Sequence, residues 1–519
     1  MAVTLTQARD AAAREDWAGA YALLHEADRH PTTPLGPGDL DALADSAWWS
    51  GRVEESVTAR LRAHAAHVAA GDPRGAGATA WWLASEYRRL GRPAAAAGWL
   101  HRARHHLEGR PDCPEQCLLA LADAEEAQQH HDPAAALAAA RRMTRLAELC
   151  ANPDLVALSR QSEASVLLAE GRWAEGLALL DDAMRAVTAG ELSSLYTGRL
   201  FALALDQCMG AADLRRAVEW TEAAMAWCSV PRAQHVAPSP GATRVTPSPG
   251  ATPRTPAPAR AAPVADNPFR GACRVHHVEV LDLLGEWARA EEEAHLVLQE
   301  VLEDSLDAAA AASYAAGEVQ RRQGRGVEAA RSYARAHELG RVPQPGLALL
   351  RLAEGRADTA LAGLRLALDC QSDPRHDLLG RARLLAALTE VTLAVGATGA
   401  AEQAVLELEG LAPAPEAPLL AAVAATARGA LALARGEPAH PPLRRALVLW
   451  RELRVPYEAA RARMLLAAAD RAAGDEAAAR LSLDAARTAF ERLGAAPDAR
   501  RAAALLAGAQ HPPHHGATP

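Results

Sequence analysis

A helix-breaking residue returns along this chain at a nearly constant interval, and the residues after each break repeat one pattern of sizes. The stretch Ser165 to Met184 contains the unit in full. An apolar stripe (Val166, Leu167, Leu168) stops at Gly171, and a second stripe (Trp173, Leu177, Leu180, Met184) resumes at helical spacing. Glycine stops a helix because it alone takes a left-handed conformation at little cost. Breaks at Gly51, Gly91, His131 and Gly171 are 40 residues apart, and the step from Gly171 to Gly210 is 39. The steps from Gly285 to Gly324 and from Gly436 to Gly474 are 39 and 38. A fixed period of this length predicts stacked helix pairs, none of which buries its apolar face alone.

After Gly171, small, bulky and small residues follow at plus five, plus nine and plus twelve: Gly176, Leu180 and Ala183. The pattern recurs after Gly91, Gly324, Gly355 and Gly474. It is that of the tetratricopeptide repeat, whose usual period is roughly 34; longer helices account for the difference. Looser turns are expected at Gly51, Gly210, Gly285, Gly396 and Gly436, with Glu15-Asp16 and His131-Asp132 standing in for glycine in two more. The expected fold is an all-α, right-handed superhelical solenoid of about twelve such hairpins.

Residues 1–230 are read as hairpins one to six. From Pro231 to Pro268, ten of 38 residues are proline and Pro-Ser-Pro-Gly-Ala-Thr occurs twice, so this stretch is expected to be a disordered linker or loop. Residues 269–509 resume with hairpins seven to twelve and a short capping helix, and 510–519 are a tail. That helix, Asp498 to Leu506, offers too little apolar surface to cover the final hairpin, so the C-terminal end is expected to stay partly exposed and to self-associate or dock a partner.

Composition removes whole classes of chemistry. Lysine is absent, so all 55 basic residues are arginine, and a P-loop, a kinase site and a pyridoxal Schiff base each lack their essential amine. Isoleucine is absent as well, which points to a GC-rich, bacterial coding bias. A net charge of −9 argues against direct nucleic-acid binding, which rests on cations displacing counterions from phosphates. The N-terminus lacks a signal-peptide pattern, and no apolar run is expected to span a membrane, so a cytoplasmic protein is expected. Seven scattered cysteines read as free thiols.

No catalytic constellation is found, and neither enzymatic activity nor a cofactor is expected. The strongest metal-like grouping is weak: His101 and His105 lie one turn apart on a helix, with Cys113 and Cys117 across the next loop. Its cysteine spacing does not match a zinc knuckle, so no metal is assigned. Tryptophan is concentrated in the first half, with adjacent pairs at Trp48-Trp49 and Trp81-Trp82. Adjacent helical residues point about 100° apart, so both members of a pair cannot face one core. Core packing explains most of these rings; Trp48 and Trp82 are the members assigned to an inner, partner-binding groove.

Several segments resemble the tetratricopeptide-like, MalT-like region of LuxR-type transcriptional regulators and of nucleotidyl cyclase-associated proteins in high-GC bacteria. They include Ala47-Trp-Trp-Ser-Gly-Arg-Val-Glu-Glu55, Gly271-Ala-Cys-Arg-Val-His276 with Gly285-Glu-Trp-Ala-Arg-Ala290, and Pro343-Gln-Pro-Gly-Leu-Ala-Leu-Leu-Arg-Leu352. Pro456-Tyr-Glu-Ala-Ala-Arg-Ala-Arg463 and Leu483-Asp-Ala-Ala-Arg-Thr-Ala-Phe-Glu-Arg-Leu-Gly494 complete the set. The resemblance implies a sensory or protein-binding superhelix in transcriptional control, with Arg274 and His276 as further partner-binding candidates. The helix-turn-helix domain that follows the Phe-Glu-Arg-Leu-Gly segment in such regulators is not found here, so the chain itself is not expected to bind DNA. A protein or peptide partner is expected first, a small-molecule effector in the groove is the alternative, and a metal-dependent enzyme is a distant third.

Overall fold

The computed structural model describes residues 2–29, 34–229, 267–300, 306–371, 374–375, 377–411 and 417–508. The linker expected over 231–268 lies outside the described residues except for its last two positions, and the 510–519 tail lies wholly outside. Every regular element among the described residues is an α-helix. Contact within the chain separates two compact units. One comprises Met1–Glu170, Glu175–Leu200 and Ala226–Arg270, and the other Gly171–Ala174, Phe201–Met225 and Gly271–Pro519.

The helices pair in sequence. The first three hairpins are α1 (Ala2–Ala13) with α2 (Trp17–Asp28), α3 (Pro37–Trp49) with α4 (Val53–Ala69), and α5 (Pro73–Arg89) with α6 (Pro93–His106). Then come α7 (Glu115–Gln129) with α8 (Pro133–Leu149), α9 (Pro153–Ala169) with α10 (Trp173–Thr188), and α11 (Ser194–Gly210) with α12 (Leu214–Ser229). After residue 266 follow α13 (Arg270–Leu284) with α14 (Trp287–Glu300), α15 (Leu306–Gln323) with α16 (Gly326–Glu338), and α17 (Gly346–Ala353) with α18 (Ala357–Asp369). The last are α19 (Leu378–Ala394) with α20 (Thr398–Leu411), α21 (Pro418–Arg435) with α22 (His440–Glu452), and α23 (Pro456–Ala472) with α24 (Glu476–Leu493); α25 (Ala496–Gly508) ends the series. Among the described residues there are thus twelve hairpins and a final helix, as the period predicts.

Local chemistry sets these boundaries. Gly51, Gly91, Gly171, Gly285, Gly324, Gly355 and Gly474 all have positive φ, between 67° and 85°. At Gly51 the closing bonds are of the Schellman type, Gly51 N–H to Trp48 O (3.1 Å) and Arg52 N–H to Ala47 O (2.8 Å). Glu15 and His131 take the same conformation (φ 58° and 57°). Gly210 does not: it remains in the helix, and Ala212 (φ 61°) makes that turn instead. Helix starts are equally local. Asp72, Asp132 and Asn152 each precede a proline at the first helical position and accept a backbone N–H from inside the helix.

Packing follows the small–bulky–small pattern. Ala96, Leu100 and Ala103, Ala329, Tyr333 and Ala336, Ala360, Leu364 and Ala367, and Ala479, Leu483 and Ala486 are all buried. At Gly176 a Cβ would lie 2.8 Å from Leu168 Cγ, so only glycine lets α10 approach α9 this closely. Helix α21 matches a membrane span in length and composition (mean hydropathy 1.2), contrary to the expectation of none. Half of it is buried inside the protein, and it packs against α20, α22 and α23 as a core helix.

The second unit folds back on itself. Val278 and Leu281 of α13, Trp287 and Ala290 of α14, and Val319 of α15 share one core with Tyr457, Ala486, Phe490 and Ala495. A Cβ at Gly285 would meet Leu493 (2.5 Å) and Pro456 (2.8 Å), and one at Gly324 would meet Pro497 (2.7 Å). The turns after α13 and α15 thus cover part of the final hairpin and leave the C-terminal end partly exposed. Ala503, Ala504 and Leu505 of α25 remain exposed.

Candidate functional site

In the first unit the odd-numbered helices face one another. Arg88 on α5 bonds Glu125 on α7 at 2.7 Å, and Arg199 on α11 lies 5.3 Å from the Trp81 ring on α5, although two hairpins separate them in the chain. Burial lowers the Arg199 pKa from its ordinary value, and the nearby Glu125, hydrogen-bonded to Arg88, offsets only part of that effect. Neither hydrogen bond nor ion pair reaches the Arg199 guanidinium among the described residues.

The two tryptophan pairs divide differently from one another. Trp48 is 8% and Trp49 2% exposed, so neither lines an open groove. Phe269 meets both rings edge-on, at 5.5 Å and 5.9 Å, and Trp17 stacks on Trp49 at 5.6 Å. Trp48 therefore stands in a wall covered by Phe269 and not on an open groove face. Trp81 is buried and Trp82 half-buried. The Trp82 ring carries Arg60 at 5.2 Å, and Arg60 is itself fixed by Glu86 and Asp45, both at 2.7 Å.

In the second unit the odd-numbered helices bring an ionic network together. Glu318 of α15 accepts from Tyr333 Oη (2.6 Å) and Arg321 (2.9 Å), and Arg322 bonds Asp282 of α13 while its guanidinium lies 5.2 Å from the Tyr457 ring of α23. Tyr457 Oη donates to Asp498 at 2.9 Å, and Arg461 of α23 reaches Glu390 of α19 at 2.6 Å. Burial alone would raise the Glu318 carboxyl, but Arg321 and Arg322 outweigh it and hold the group at about 2.

The two candidates from the Gly271 to His276 segment part company here. Arg274 is buried against α14, 3.4 Å from Glu293, and serves its own hairpin. His276 belongs to the inner face. Burial would lower its pKa, yet Glu279 at 3.6 Å and Asp206 behind it raise it above the ordinary value. Glu279 is held at about 2 against its own burial by His276, Arg383 and Arg341. Arg341 lies 4.9 Å from the Tyr314 ring, and among the described residues neither it nor Arg383 has a hydrogen-bonded carboxylate.

The metal-like grouping does not assemble. His101 and His105 are exposed on α6, and His105 sits 3.5 Å from Glu108. Cys113 Sγ donates to Arg110 O at 3.4 Å, while Cys117 is fully buried on α7, its thiol pushed up to about 12 by burial. No three histidine, cysteine or acidic side chains among the described residues stand close enough to share an ion. The contact between histidines falls elsewhere, between His64 of α4 and His106 of α6, with Nε2 atoms 3.1 Å apart.

Sequence reasoning missed Arg199, Arg341, Arg383 and Phe269. An arginine on an apolar first helix was a usable signal for Arg199 and Arg383; nothing local marked Phe269.

No protein-family model matches this chain, and no curated protein sequence matches it. Solved structures are similar in the course of their helices. The Cut9–Hcn1 hetero-tetramer of the APC/C is 13% identical with a TM-score of 0.45, covering 98% of this chain and 96% of that one. Yeast Tom70 is 11% identical (TM-score 0.31; 98% and 95% covered), and the human IFIT1 dimer with PPP-AAAA is 13% identical (TM-score 0.31; 91% of each). At these values the helical-repeat assignment rests on the hairpins and turns of the chain itself.

Proposed function

We propose that this helical-repeat chain is a non-catalytic scaffold that binds a protein or peptide partner on the inner faces of its odd-numbered helices. One observation carries the reading. Among the described residues, Arg199, Arg341 and Arg383 are half-buried guanidinium groups without a hydrogen-bonded carboxylate, whereas Arg60 and Arg321 are paired closely with Glu86 and Glu318. A desolvated and unpaired cation costs free energy that an incoming anionic side chain recovers. Aromatic rings beside two of them, Trp81 and Tyr314, add the flat surface that recognition hot spots favour.

We also place this binding in transcriptional control, on the resemblance of the Ala47–Glu55 and Leu483–Gly494 segments to sensor regions of LuxR-type regulators.

A photo-crosslinking residue introduced at position 199 or 383 is expected to form adducts with one defined polypeptide. The same residue at position 481, where Leu481 is 75% exposed on α24, is expected to form none. Adducts only from position 481 would refute the inner-face reading. A melting-temperature rise with small metabolites and no polypeptide adduct would turn the function toward effector sensing.

A further inference from the structure

The aromatic slot of the first unit holds a side chain that its hairpins do not supply. Phe269 enters it from a tight turn just before α13. Asn267 Oδ1 accepts the Phe269 N–H at 3.1 Å, Asn267 O accepts the Arg270 N–H at 2.9 Å, and Asn267 Nδ2 donates to Cys228 Sγ at 3.6 Å. The ring then meets Trp48 and Trp49 edge-on and lies against Gly198, where any Cβ would overlap it.

Two features distinguish this from ordinary core packing. Phe269 remains partly exposed, whereas the indoles it covers are at 8% and 2%. Gly198 leaves room for the ring at a point on α11 where a larger residue would close the slot. A rigid wall of two tryptophans with a gap opposite is the form of an anchor pocket, in which one buried aromatic side chain supplies most of the binding energy.

We propose that the slot formed by Trp48, Trp49 and Gly198 is a recognition site for a partner's Asx-Pro turn bearing an aromatic side chain, and that Asn267–Arg270 occupies it in cis as a built-in competitor. This inference rests on the scaffold reading and specifies one class of partner for it. A tethered competitor acts at an effective concentration near the millimolar range, so it lowers the apparent affinity of a free ligand without changing the slot.

The test uses the full chain and a fluorescent peptide copied from it, acetyl-Asp-Asn-Pro-Phe-Arg-Gly-amide. By anisotropy, Phe269→Ala is expected to bind the peptide at least about tenfold more tightly than wild type. The peptide with its Phe changed to Ala should bind neither protein, and Trp48→Ala in the Phe269→Ala background should lose the gain. Phe269→Leu, a milder change, is expected to give an intermediate gain. The inference is overturned if Phe269→Ala keeps its helical circular dichroism but gains no affinity, or if the gain persists with the Phe-free peptide. It is also overturned if both Phe269 variants unfold, since Phe269 would then be an indispensable core residue. Crosslinking from positions 199 and 383 tests the scaffold reading separately, so either idea can fail alone.

Discussion

Gly346 is fixed by what surrounds it rather than by its own backbone angles. A Cβ there would overlap Glu318 Oε1 and the Tyr333 hydroxyl, the two groups that anchor the inner network of the second unit. Gly346→Ala is therefore expected to destabilise by about 2 kcal/mol or more, through overpacking and loss of a buried hydrogen bond, and thermal unfolding measures it. The opposite sign is expected at Ala212 and Arg454, where side-chain-bearing residues hold positive φ of 61° and 58°. Ala212→Gly and Arg454→Gly should each raise the melting temperature, by an amount worth up to about 1 kcal/mol. The turns were readable because glycine marks most of them, and the stand-ins Glu15 and His131 were readable from the period. Ala212 was hidden by Gly210, two residues upstream: α11 runs through that glycine, and the stop falls where helix length requires it. Phe269 was unreadable for a different reason, since its slot is assembled from α3 and α11, which are far apart in sequence.

At the scale of single helices, size and charge make separate predictions. Ala360 is 1% exposed on α18 and shares a cluster with Leu364, Leu384 and Val391, so Ala360→Phe should cost on the order of 1 to 3 kcal/mol. A melting temperature unchanged by that substitution would contradict the packing. The buried Glu318 has its folded pKa depressed to about 2, below the unfolded value of about 4.3. Its contribution is thus complete above about pH 4.3 and is lost as pH falls toward 2. Glu318→Gln should be less stable than wild type at pH 7, and acidification from pH 4.3 to pH 2 should cost it less stability than it costs wild type. Equal slopes in the two proteins would remove Glu318 from the account of acid unfolding. This network was not visible in the sequence. Glu318-Val-Gln-Arg-Arg322 looks like the polar end of a surface helix, and it is buried by Tyr333 of α16, Gly346 of α17 and Asp282 of α13, with Tyr457 of α23 against Arg322.

For the whole chain, period, turn chemistry and the small-residue face sufficed to define the repeat, because each is local and recurs. The closure of the second unit was not legible, since it depends on a small rotation accumulated over six hairpins, and no single residue encodes that angle. Its consequence for truncation is direct. Removing residues 497–519 takes Pro497 from the Gly324 turn and Asp498 from Tyr457, so the shortened chain should melt at a lower temperature than the full chain. An unchanged melting temperature would mean that α25 is an ornament on an already complete end. An open stack of repeats can gain or lose a member and simply become longer or shorter. With α24 and α25 seated on the turns at Gly285 and Gly324, the second unit works as a closed circuit whose circumference is six hairpins. Duplicating the forty residues 396–435 would push the last hairpin past its seat, so gene duplication, the usual route by which repeat proteins evolve new lengths, is obstructed here unless the circuit first opens.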